Sequence, residues 1–481
     1  MVIISKIQCV EASLPQRIGG YNTMAKNMFE TFEKTSKLEA LTGFHKGLQT
    51  IQIDAGSTGT RSIIVHQDDI NLSNFSNLAD VKTCPFLDIS SEYIKLTDDM
   101  KLPSVAKSDK ISDKLEYIIQ KIEGPSIGFV KLHAAKGSLM RAVGASVSNA
   151  SSAELKVNQP QVFVNILIAI ANSMLTKSQV TGKRFRGLIP IDLTLSLPYE
   201  DMKVKGTLSK FKEKLSGKYV IAFPRLPIPK VNADGQILDR DGNPVSESGQ
   251  KPVGVPYAVQ FELSKDRIFL VSEQRAAGEY FLTAKGQNSF GCNAVTIDVG
   301  GRSTGMILST DRSFNDSVQE TYRYGGVHLI NMIKEKALQK YELQKVESNE
   351  VIKALSTGKL INGGRSYDVV TLINEAKVTF AEKLYENYSY FLESSASNLD
   401  SIDLVVVSGR VFGEILDEEG NIISPSIRAY FEQHVSASFG TKVEQTSVTY
   451  PIPWGLLVCR MDAVDSTDEF EELDMDLELE F

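Results

Sequence analysis

Two short segments of the 481-residue chain combine an aspartate with glycine, serine and threonine in a pattern that suits phosphate chemistry. They are residues 53–61 (IDAGSTGTR) and 297–305 (IDVGGRSTG), and in each the aspartate follows an apolar run. A second apolar run comes after the polar residues, so each segment predicts a strand, a tight turn and a second strand. Glycine lets a backbone approach a ligand closely, and the N–H groups and hydroxyls of such a turn can converge on one anion. The segments therefore predict two phosphate-binding turns.

The two aspartates, Asp54 and Asp298, are candidate ligands of a metal ion. Mg²⁺ prefers oxygen ligands and usually takes one or two carboxylates in addition to water and phosphate oxygens. One such turn alone is compatible with an ordinary β-hairpin, but two copies, each with an aspartate two residues before a glycine, favour a shared site. Two turns that face each other would hold a polyphosphate from both sides. We therefore expect a site for β- and γ-phosphates and Mg²⁺ between them.

The elements that would position these turns are a mixture of strands and helices. Short β-rich apolar runs predict strands, and longer periodic runs predict helices. The predicted strands beside the two turns lie at residues 188–197, 267–274 and 403–408. The predicted helices lie at residues 162–175, 201–215, 327–341 and 371–392. Residues 67–136 are expected to form an irregular, polar subdomain and residues 222–265 a hairpin-rich region. This succession predicts an α/β protein, and the repeated turn predicts two related halves.

Charge and cysteine content narrow the class of protein. The formal net charge is −8, but ten of the 60 acidic residues lie in residues 461–481, which contain no Lys or Arg. The remainder, with 50 acidic residues against 52 basic ones, has no general basic field for nucleic acid. Four widely separated cysteines without a CxxC pair do not indicate a disulfide framework or a zinc knuckle. No apolar run reaches the roughly 18–20 residues of a membrane span, and we expect a soluble cytoplasmic protein.

The two turns resemble the phosphate-1 and phosphate-2 loops of the actin-like ATPases, the superfamily of actin, heat-shock chaperone ATPase domains, sugar kinases and bacterial plasmid-segregating actins. The residues that match the phosphate-1 loop are Asp54, Gly56, Ser57, Thr58, Gly59 and Thr60, followed by Arg61 at the position of a phosphate-binding basic residue. The residues that match the phosphate-2 loop are Asp298, Gly300, Gly301, Arg302, Ser303 and Thr304. The residues that match the family's adenosine motif, in the segment 405–413, are Ser408, Gly409 and Arg410.

The resemblance implies an α/β fold with two lobes, the actin-like or ribonuclease H-like fold, and ATP and Mg²⁺ in the cleft between the lobes. It implies that Asp54 and Asp298 hold the metal and that Asp298 also serves catalysis. The family places a residue that orients the attacking water on the helix after the strand at 188–197, where this chain has Glu200 and Asp201. The implied boundaries are an N-terminal extension at 1–46, a first lobe at 47–290, a second lobe at 291–460 and an acidic tail at 461–481.

Within the superfamily, the phosphate-2 pattern looks most like that of the segregation and archaeal actins, and residues 272–281 (SEQRAAGEYF) resemble a strand-to-helix link of the plasmid and phage segregation actins. That likeness implies an ATPase that assembles into cytoskeletal filaments and positions DNA through an adaptor protein. The tail adds a further hypothesis, because large apolar side chains interleave with its acidic residues. Residues 466–481 are either a disordered, solubilising segment or a peptide that binds a basic, apolar pocket on a protein partner.

The same residues are also compatible with two other functions. The segment 54–61 also resembles the first conserved region of apyrases, which implies a monomeric enzyme that hydrolyses nucleoside tri- and diphosphates. Gly305 stands where the segregation actins often have Asp, and Arg410 stands in place of the second glycine of the adenosine motif. These departures keep open a third function, that of a non-hydrolysing actin-fold adaptor.

Overall fold

The structure is a computed structural model that describes residues 43–56, 59–66, 86–97, 100, 115–136, 154–248, 250–285, 291–311, 313–395, 402–417, 419–439, 441–445 and 451–461. The strands up to residue 272 are β1 (Gly43–His45), β2 (Gln49–Ala55), β3 (Gly59–His66), β4 (Phe86–Ser90), β5 (Ile94–Lys95), β6 (Glu116–Glu123), β7 (Lys131–Ala135), β8 (Lys183–Phe185), β9 (Leu188–Leu197), β10 (Gly217–Pro229) and β11 (Gly254–Ser272). The later strands are β12 (Asn293–Val299), β13 (Thr304–Thr310), β14 (Ser313–Tyr322), β15 (Lys359–Asn362), β16 (Arg365–Asp368), β17 (Leu404–Ser408), β18 (Ile415–Leu416), β19 (Ile422–Ser424) and β20 (Lys442–Gln445).

Helices alternate with these strands. The α-helices of the described residues are α1 (Pro160–Thr181), α2 (Tyr199–Lys203), α3 (Thr207–Leu215), α4 (Val245–Ser248), α5 (Glu273–Lys285), α6 (Gly326–Lys340), α7 (Ser348–Thr357), α8 (Val370–Ser395), α9 (Ile427–Phe439) and α10 (452–461). A 3₁₀ turn at Lys156–Asn158 precedes α1, and another at Arg410–Phe412 follows β17.

Among the described residues, nine strands form the first sheet, in the order β4-β3-β2-β9-β11-β10-β6-β7-β5. Its centre is parallel, because β2 and β11 both pair with β9 in the same direction. Central parallel strands are covered on both faces, which explains why β2 and nearly all of β9 are buried. The apolar helix α1 packs on β2 and β3, and it ends at Gly182 in the left-handed conformation that stops a helix. The carboxyl ends of β2, β9 and β11 therefore meet at one edge of the sheet.

In the described part of the second half, five strands form another sheet, in the order β14-β13-β12-β17-β20. β12 pairs with β17, and β17 with β20, in parallel, whereas β12, β13 and β14 form antiparallel pairs. Buried aliphatic and aromatic side chains of α6, α8 and α9, including Phe380, Tyr388 and Phe431, form one core with this sheet. Each half of the chain thus has its own sheet and core, and the predicted α/β class is confirmed.

Helix α5 joins the two halves. It begins directly after β11 of the first sheet and packs on β12 and β13 of the second. Polar contacts reinforce this packing: Gln274 Nε2 donates to Gln319 Oε1 at 3.0 Å, and Arg275 Nη1 lies 2.5 Å from Asp316 Oδ2. Because both partners belong to β14, α5 ties the first sheet to the outer strand of the second.

The last described helix, α10, returns to the first sheet. Trp454 packs on Ile63 and Val65 of β3. Arg460 Nε donates to Asp192 Oδ2 of β9 at 2.8 Å. In chain order, the strands of the second sheet therefore lie between the strands of the first sheet and a C-terminal helix that packs on it.

Three expectations about local structure need correction. Residues 67–136 were expected to be irregular, but their described parts (86–97, 100 and 115–136) contribute β4, β5, β6 and β7, which extend the first sheet. The helix predicted at 201–215 is two helices, because Gly206 adopts a φ of 80° between α2 and α3. Residues 452–460, counted with the predicted second lobe at 291–460, belong to a helix that packs on the first sheet.

The two predicted terminal segments fall largely outside the described residues. Of the N-terminal extension at 1–46, the structure describes the part from residue 43, where β1 pairs with β8 in parallel. The acidic tail lies outside the described residues from residue 462 onward. In the part of the chain that the structure describes, no helix is both long enough and apolar enough to cross a membrane.

Candidate functional site

The first predicted phosphate turn joins β2 to β3. Asp54 is buried near the end of β2, and both of its carboxylate oxygens accept hydrogen bonds. Arg61 Nη1 donates to Oδ2 at 2.9 Å, and Ser196 Oγ, at the end of β9, donates to Oδ1 at 3.1 Å. Arg61 Nε also donates to Asp88 Oδ1 at 3.3 Å. Arg61, which the resemblance places on phosphate, is thus held beside the turn by two carboxylates.

Ser91 holds the backbone of this first turn. Its Oγ donates to Gly56 O at 2.6 Å and lies 3.1 Å from Thr60 Oγ1. A Cβ on Gly56 would lie 2.7 Å from Gly59 O, so the two arms of the turn can approach only at a glycine. Asn165 of α1 supports Ser91 from behind, because its Nδ2 donates to Ser91 O at 2.8 Å. The shape of the turn is therefore set by packing on α1.

The second predicted turn joins β12 to β13 and is backed by the start of α6. Gly300 N donates to Ser303 O at 2.9 Å, which closes the turn. Gly300 O accepts from Gly326 N at 3.0 Å, and Gly301 O accepts from Val327 N at 2.7 Å. The first N–H groups of α6, which have no partner within the helix, are therefore satisfied by the turn.

The remaining matched residues of the two loops are placed as follows. Ser57 and Thr58 lie outside the described residues. Arg302 is half-buried in the second turn. Thr304 is buried at the start of β13, and its hydroxyl donates to Tyr324 O, so it supports the turn through the segment before α6.

Asp298 and the predicted adenosine motif lie side by side. Asp298 is buried on β12 opposite Ser408 of β17, whose hydroxyl donates to Oδ1. Gly409 follows with a φ of 128°, and a Cβ there would lie 2.3 Å from Val299 O. Glycine is therefore required where the chain leaves β17 against the end of β12. Arg410 then begins the 3₁₀ turn.

The two aspartates act on each other electrostatically. Burial raises the pKa of Asp298 to about 7, and the charges of Glu273 and Asp54 add to the rise. Burial lowers the pKa of Arg61, but Asp54 and, from the opposite turn, Asp298 raise it, and the balance is upward. These effects act between the end of β2 and the end of β12, so the two strand ends lie near each other.

The acidic groups near these strand ends fit a Mg²⁺ ion that shares its ligands with phosphate. Asp298 is in electrostatic contact with Asp54 and Glu273, and Arg61 and Lys156 balance part of that negative charge. Within the described ranges, no cluster of three or more His, Cys, Asp or Glu side chains is arranged to hold a metal ion. An all-protein cage is thus not formed there, whereas Mg²⁺ needs only one or two carboxylates when phosphate and water complete its shell.

Glu200 and Asp201, the residues expected to orient a water, contact Arg323 and Lys156. The Glu200 side chain is 42% exposed, and its Oε2 lies 3.9 Å from Nε of Arg323 in the opposite half. Asp201 is buried, and its Oδ2 accepts the backbone N–H of Lys156 at 2.7 Å. Burial raises the pKa of Asp201, and the N–H and ammonium of Lys156 oppose that rise. Glu200 thus forms a surface contact between the halves, and Asp201 orders the turn before α1.

Glu273 and Lys156 are site residues that the sequence did not predict. Glu273 is the first residue of α5, directly after β11, and its Oε1 accepts from Lys156 Nζ at 2.8 Å. Lys156 Nζ also donates at 2.9 Å to the carbonyl of Ala55, the residue after Asp54. The signal that could have found Glu273 is its place at the end of a strand, as for Asp54 and Asp298, since ligands gather at strand carboxyl ends. No sequence signal marks Lys156.

The structure explains why position 305, where the segregation actins often have Asp, is a glycine. A Cβ on Gly305 would lie 2.6 Å from Oε1 of Gln274, the second residue of α5. Gln274 is buried there and bonds to Gln319 of β14. The amide side chain of Gln274 thus fills the space that a larger residue at position 305 would need.

Comparisons with known proteins address the fold. No family model and no curated protein matches the chain. Among solved structures, the archaeal actin homolog Ta0583 is 12% identical with a TM-score of 0.54, over 86% of this chain and 99% of its own. A 15-stranded ParM filament from Clostridium botulinum is 14% identical with a TM-score of 0.53, over 85% and 98%. Bacillus thuringiensis ParM with AMPPNP is 10% identical with a TM-score of 0.51, over 86% and 99%.

These matches cover most of the chain at low sequence identity. A structural similarity of this kind shows the fold. The sequence-based prediction of an α/β fold with two lobes is confirmed. The chain has the actin-like fold.

Proposed function

We propose that the chain binds ATP together with Mg²⁺ in the cleft between its two sheets and hydrolyses the ATP. The observation that carries this proposal is that each turn follows a buried aspartate near the end of a strand, Asp54 on β2 and Asp298 on β12. The charge of Asp54 also adds to the burial that raises the pKa of Asp298. Structures of the same fold support it, because Ta0583 was solved with ADP and B. thuringiensis ParM with AMPPNP.

Each part of the cleft has a separate role in this proposal. Residues 56–60 and 300–304 bind phosphate oxygens through backbone N–H groups and hydroxyls. Asp54 and Asp298 hold the metal ion, and residues 408–410 line the adenosine side. Bound Mg²⁺ supplies positive charge that offsets the phosphate oxygens.

Glu273 orients the attacking water in this proposal, in place of Glu200 and Asp201. It stands at the edge where β2, β9 and β11 end, close enough to Asp298 to raise its pKa in addition to burial. A carboxylate there accepts a hydrogen bond from the water that attacks the γ-phosphorus. The bond from that phosphorus to the bridging oxygen breaks and its electrons stay on ADP, while the water oxygen stays on the phosphorus. One water proton remains on the inorganic phosphate, and the other is released to solvent.

Nucleotide state controls self-association into filaments in the same proposal. The C. botulinum ParM was solved as a filament, and ATP between two lobes can close them and favour contacts between subunits. The cargo is DNA of a plasmid or phage, reached through an adaptor protein, because the chain without its tail is close to neutral. The acidic residues 466–481 are the candidate contact for a basic protein partner.

Asp298→Asn tests the site, because it keeps the shape of the side chain and removes the charge that would hold the metal. We expect ATP turnover to fall by about 100-fold or more. Asp266→Asn, which changes an exposed carboxylate on β11, is the matched control and should turn over ATP at the wild-type rate. Wild-type turnover by Asp298→Asn would contradict the proposal.

Electron microscopy with and without ATP and Mg²⁺ separates this function from the two alternatives. Filaments that form with ATP, together with a rise in light scattering, support the proposal. Rapid hydrolysis of both NTP and NDP without assembly would favour an apyrase-like enzyme. The absence of any nucleotide effect on the melting temperature would favour a non-hydrolysing adaptor, because a ligand that binds the native state stabilises it.

A further inference from the structure

Lys156 is a buried cation at the edge of the cleft that the mechanism above leaves without a role. It begins the 3₁₀ turn before α1, and its side chain is 12% exposed. Its Nζ donates to Ala55 O at 2.9 Å and to Glu273 Oε1 at 2.8 Å. Because Ala55 directly precedes Gly56, the ammonium lies against the backbone expected to bind phosphate.

The charges around Lys156 keep the ammonium protonated. Burial lowers the pKa of Lys156, but Glu273, Asp54 and Asp201 together outweigh burial, and the pKa is raised on balance. A lysine ammonium is a compact charge with three donors, and it binds phosphate well. The cleft therefore contains a permanent cation that is held by carboxylates and lies next to the first turn.

The backbone of Lys156 is anchored to a helix that touches both halves of the chain. Asp201 of α2 accepts the Lys156 N–H at 2.7 Å. α2 also packs on β14 of the second sheet, where Lys203 Nζ donates to Glu320 Oε1 at 2.9 Å. The position of Lys156 beside the first turn is thus linked, through one short helix, to the packing of the two halves.

We propose that Lys156 binds the terminal phosphate of a nucleoside triphosphate and gives up its ion pair with Glu273 to do so. The inference rests on the proposed function, because it requires a polyphosphate in the cleft. A diphosphate has no terminal phosphate at that position and leaves the ion pair intact, so Lys156 makes the cleft discriminate triphosphate from diphosphate. The exchange frees the Glu273 carboxylate for the attacking water only when a γ-phosphate is present.

Lys156→Met tests this role, because it keeps an unbranched side chain and removes the charge. With Mg²⁺ present, we expect the affinity for AMPPNP to fall roughly 10- to 100-fold, as for one charged hydrogen bond, and the affinity for ADP to change less than about threefold. Lys156→Arg keeps the charge and should recover most of the AMPPNP affinity. Lys265→Met, which changes an exposed lysine on β11, is the matched control and should bind both nucleotides as the wild type does. Isothermal titration calorimetry measures all of these affinities.

A second variant keeps the test decisive if Lys156→Met does not fold, because that change leaves Glu273 partly buried without its cation. Lys156→Met combined with Glu273→Gln removes both charges, and AMPPNP should then raise its melting temperature no more than ADP does. If the wild type binds both nucleotides, two results for Lys156→Met would overturn the role of Lys156. One is an equal loss of affinity for AMPPNP and ADP, and the other is no loss for either nucleotide. A wild-type chain that binds neither nucleotide would overturn the proposed function, and this inference with it.

Discussion

Replacing Lys136 by methionine should remove a pH-dependent part of the stability of the fold around the first phosphate turn. Lys136 is 1% exposed, and its Nζ donates to Ser90 O at 2.6 Å and to Asn165 Oδ1 at 2.7 Å. The next residue after Ser90, Ser91, holds the carbonyl of Gly56. The ammonium of Lys136 therefore supports the turn through two hydrogen bonds, but it does so in an environment without water.

The magnitude follows from the pKa of Lys136. Burial lowers this pKa to about 7 from an ordinary value of 10.5, and Glu92 opposes the shift. Between those two pH values the unfolded chain holds the proton and the folded protein releases it, so stability rises with pH. Below pH 7 the full cost of burying the charge is present, and above pH 10.5 it is gone. The wild type should therefore gain about 2.7 kcal/mol over the methionine variant between pH 6 and pH 9.

Denaturant unfolding of the two proteins at pH 6, 7.5 and 9 measures this gain, because their other titrating groups are the same. The methionine variant leaves Ser90 O and Asn165 Oδ1 without a donor, an offset of about 1–3 kcal/mol that does not vary with pH. The stability difference between wild type and Lys265→Met, which changes an exposed lysine, should stay flat. A difference between wild type and Lys136→Met that is also flat with pH would refute the assignment of a pKa near 7 to Lys136.

Two further predictions concern Gly409 of the second half and Glu273 of the first. Gly409→Ala should lower stability by about 1–3 kcal/mol from backbone strain alone, and it should also weaken ADP binding, because a Cβ there lies 2.3 Å from Val299 O. Gly420→Ala has a similar positive φ of 89° but open space around it, and equal losses of melting temperature in the two variants would show that the close approach has no effect. Glu273→Gln should reduce ATP turnover by about 100-fold or more while nucleotide affinity is retained, and steady-state kinetics with an unchanged kcat would exclude Glu273 as the residue that orients the water.

The two turns could be predicted from the sequence because each is a local structure. The strand, turn and strand expected around residues 53–61 are β2 and β3, and those expected around residues 297–305 are β12 and β13. The hairpin register alone places Asp54 opposite Arg61. A contact that depends on one turn needs only the residues of that turn, and their types are visible in the sequence.

Glu273 and Lys156 could not be assigned in the same way, because their contact joins three distant segments. The carbonyl of Ala55, the amine of Lys156 and the carboxylate of Glu273 meet only because β2, β9 and β11 are neighbours in one sheet. The role of Asp201 could not be assigned from the sequence either. An acidic residue at the start of a helix suits both catalysis and helix stability, and its hydrogen bond to the turn before α1 is a contact that the sequence does not show.

The strands between residues 67 and 136 were missed for a different reason. β6 and β7 are short of apolar residues for a sheet interior, since each contains lysine and alternates buried with less buried positions. Such strands are typical of the outer part of a sheet, and a polar composition alone cannot separate them from irregular chain. The place of β6 beside β10, and of β7 beside β6, became visible only from the sheet order.

The position of Trp454 against Ile63 and Val65 has a consequence for biosynthesis. A ribosome releases β3 long before it releases α10, so one surface of the first sheet stays uncovered while hundreds of later residues are made. Uncovered apolar surface on a nascent chain invites aggregation and chaperone binding. The lobe that begins first is therefore completed last, and a chain that stalls before residue 452 leaves Ile63 and Val65 open to water.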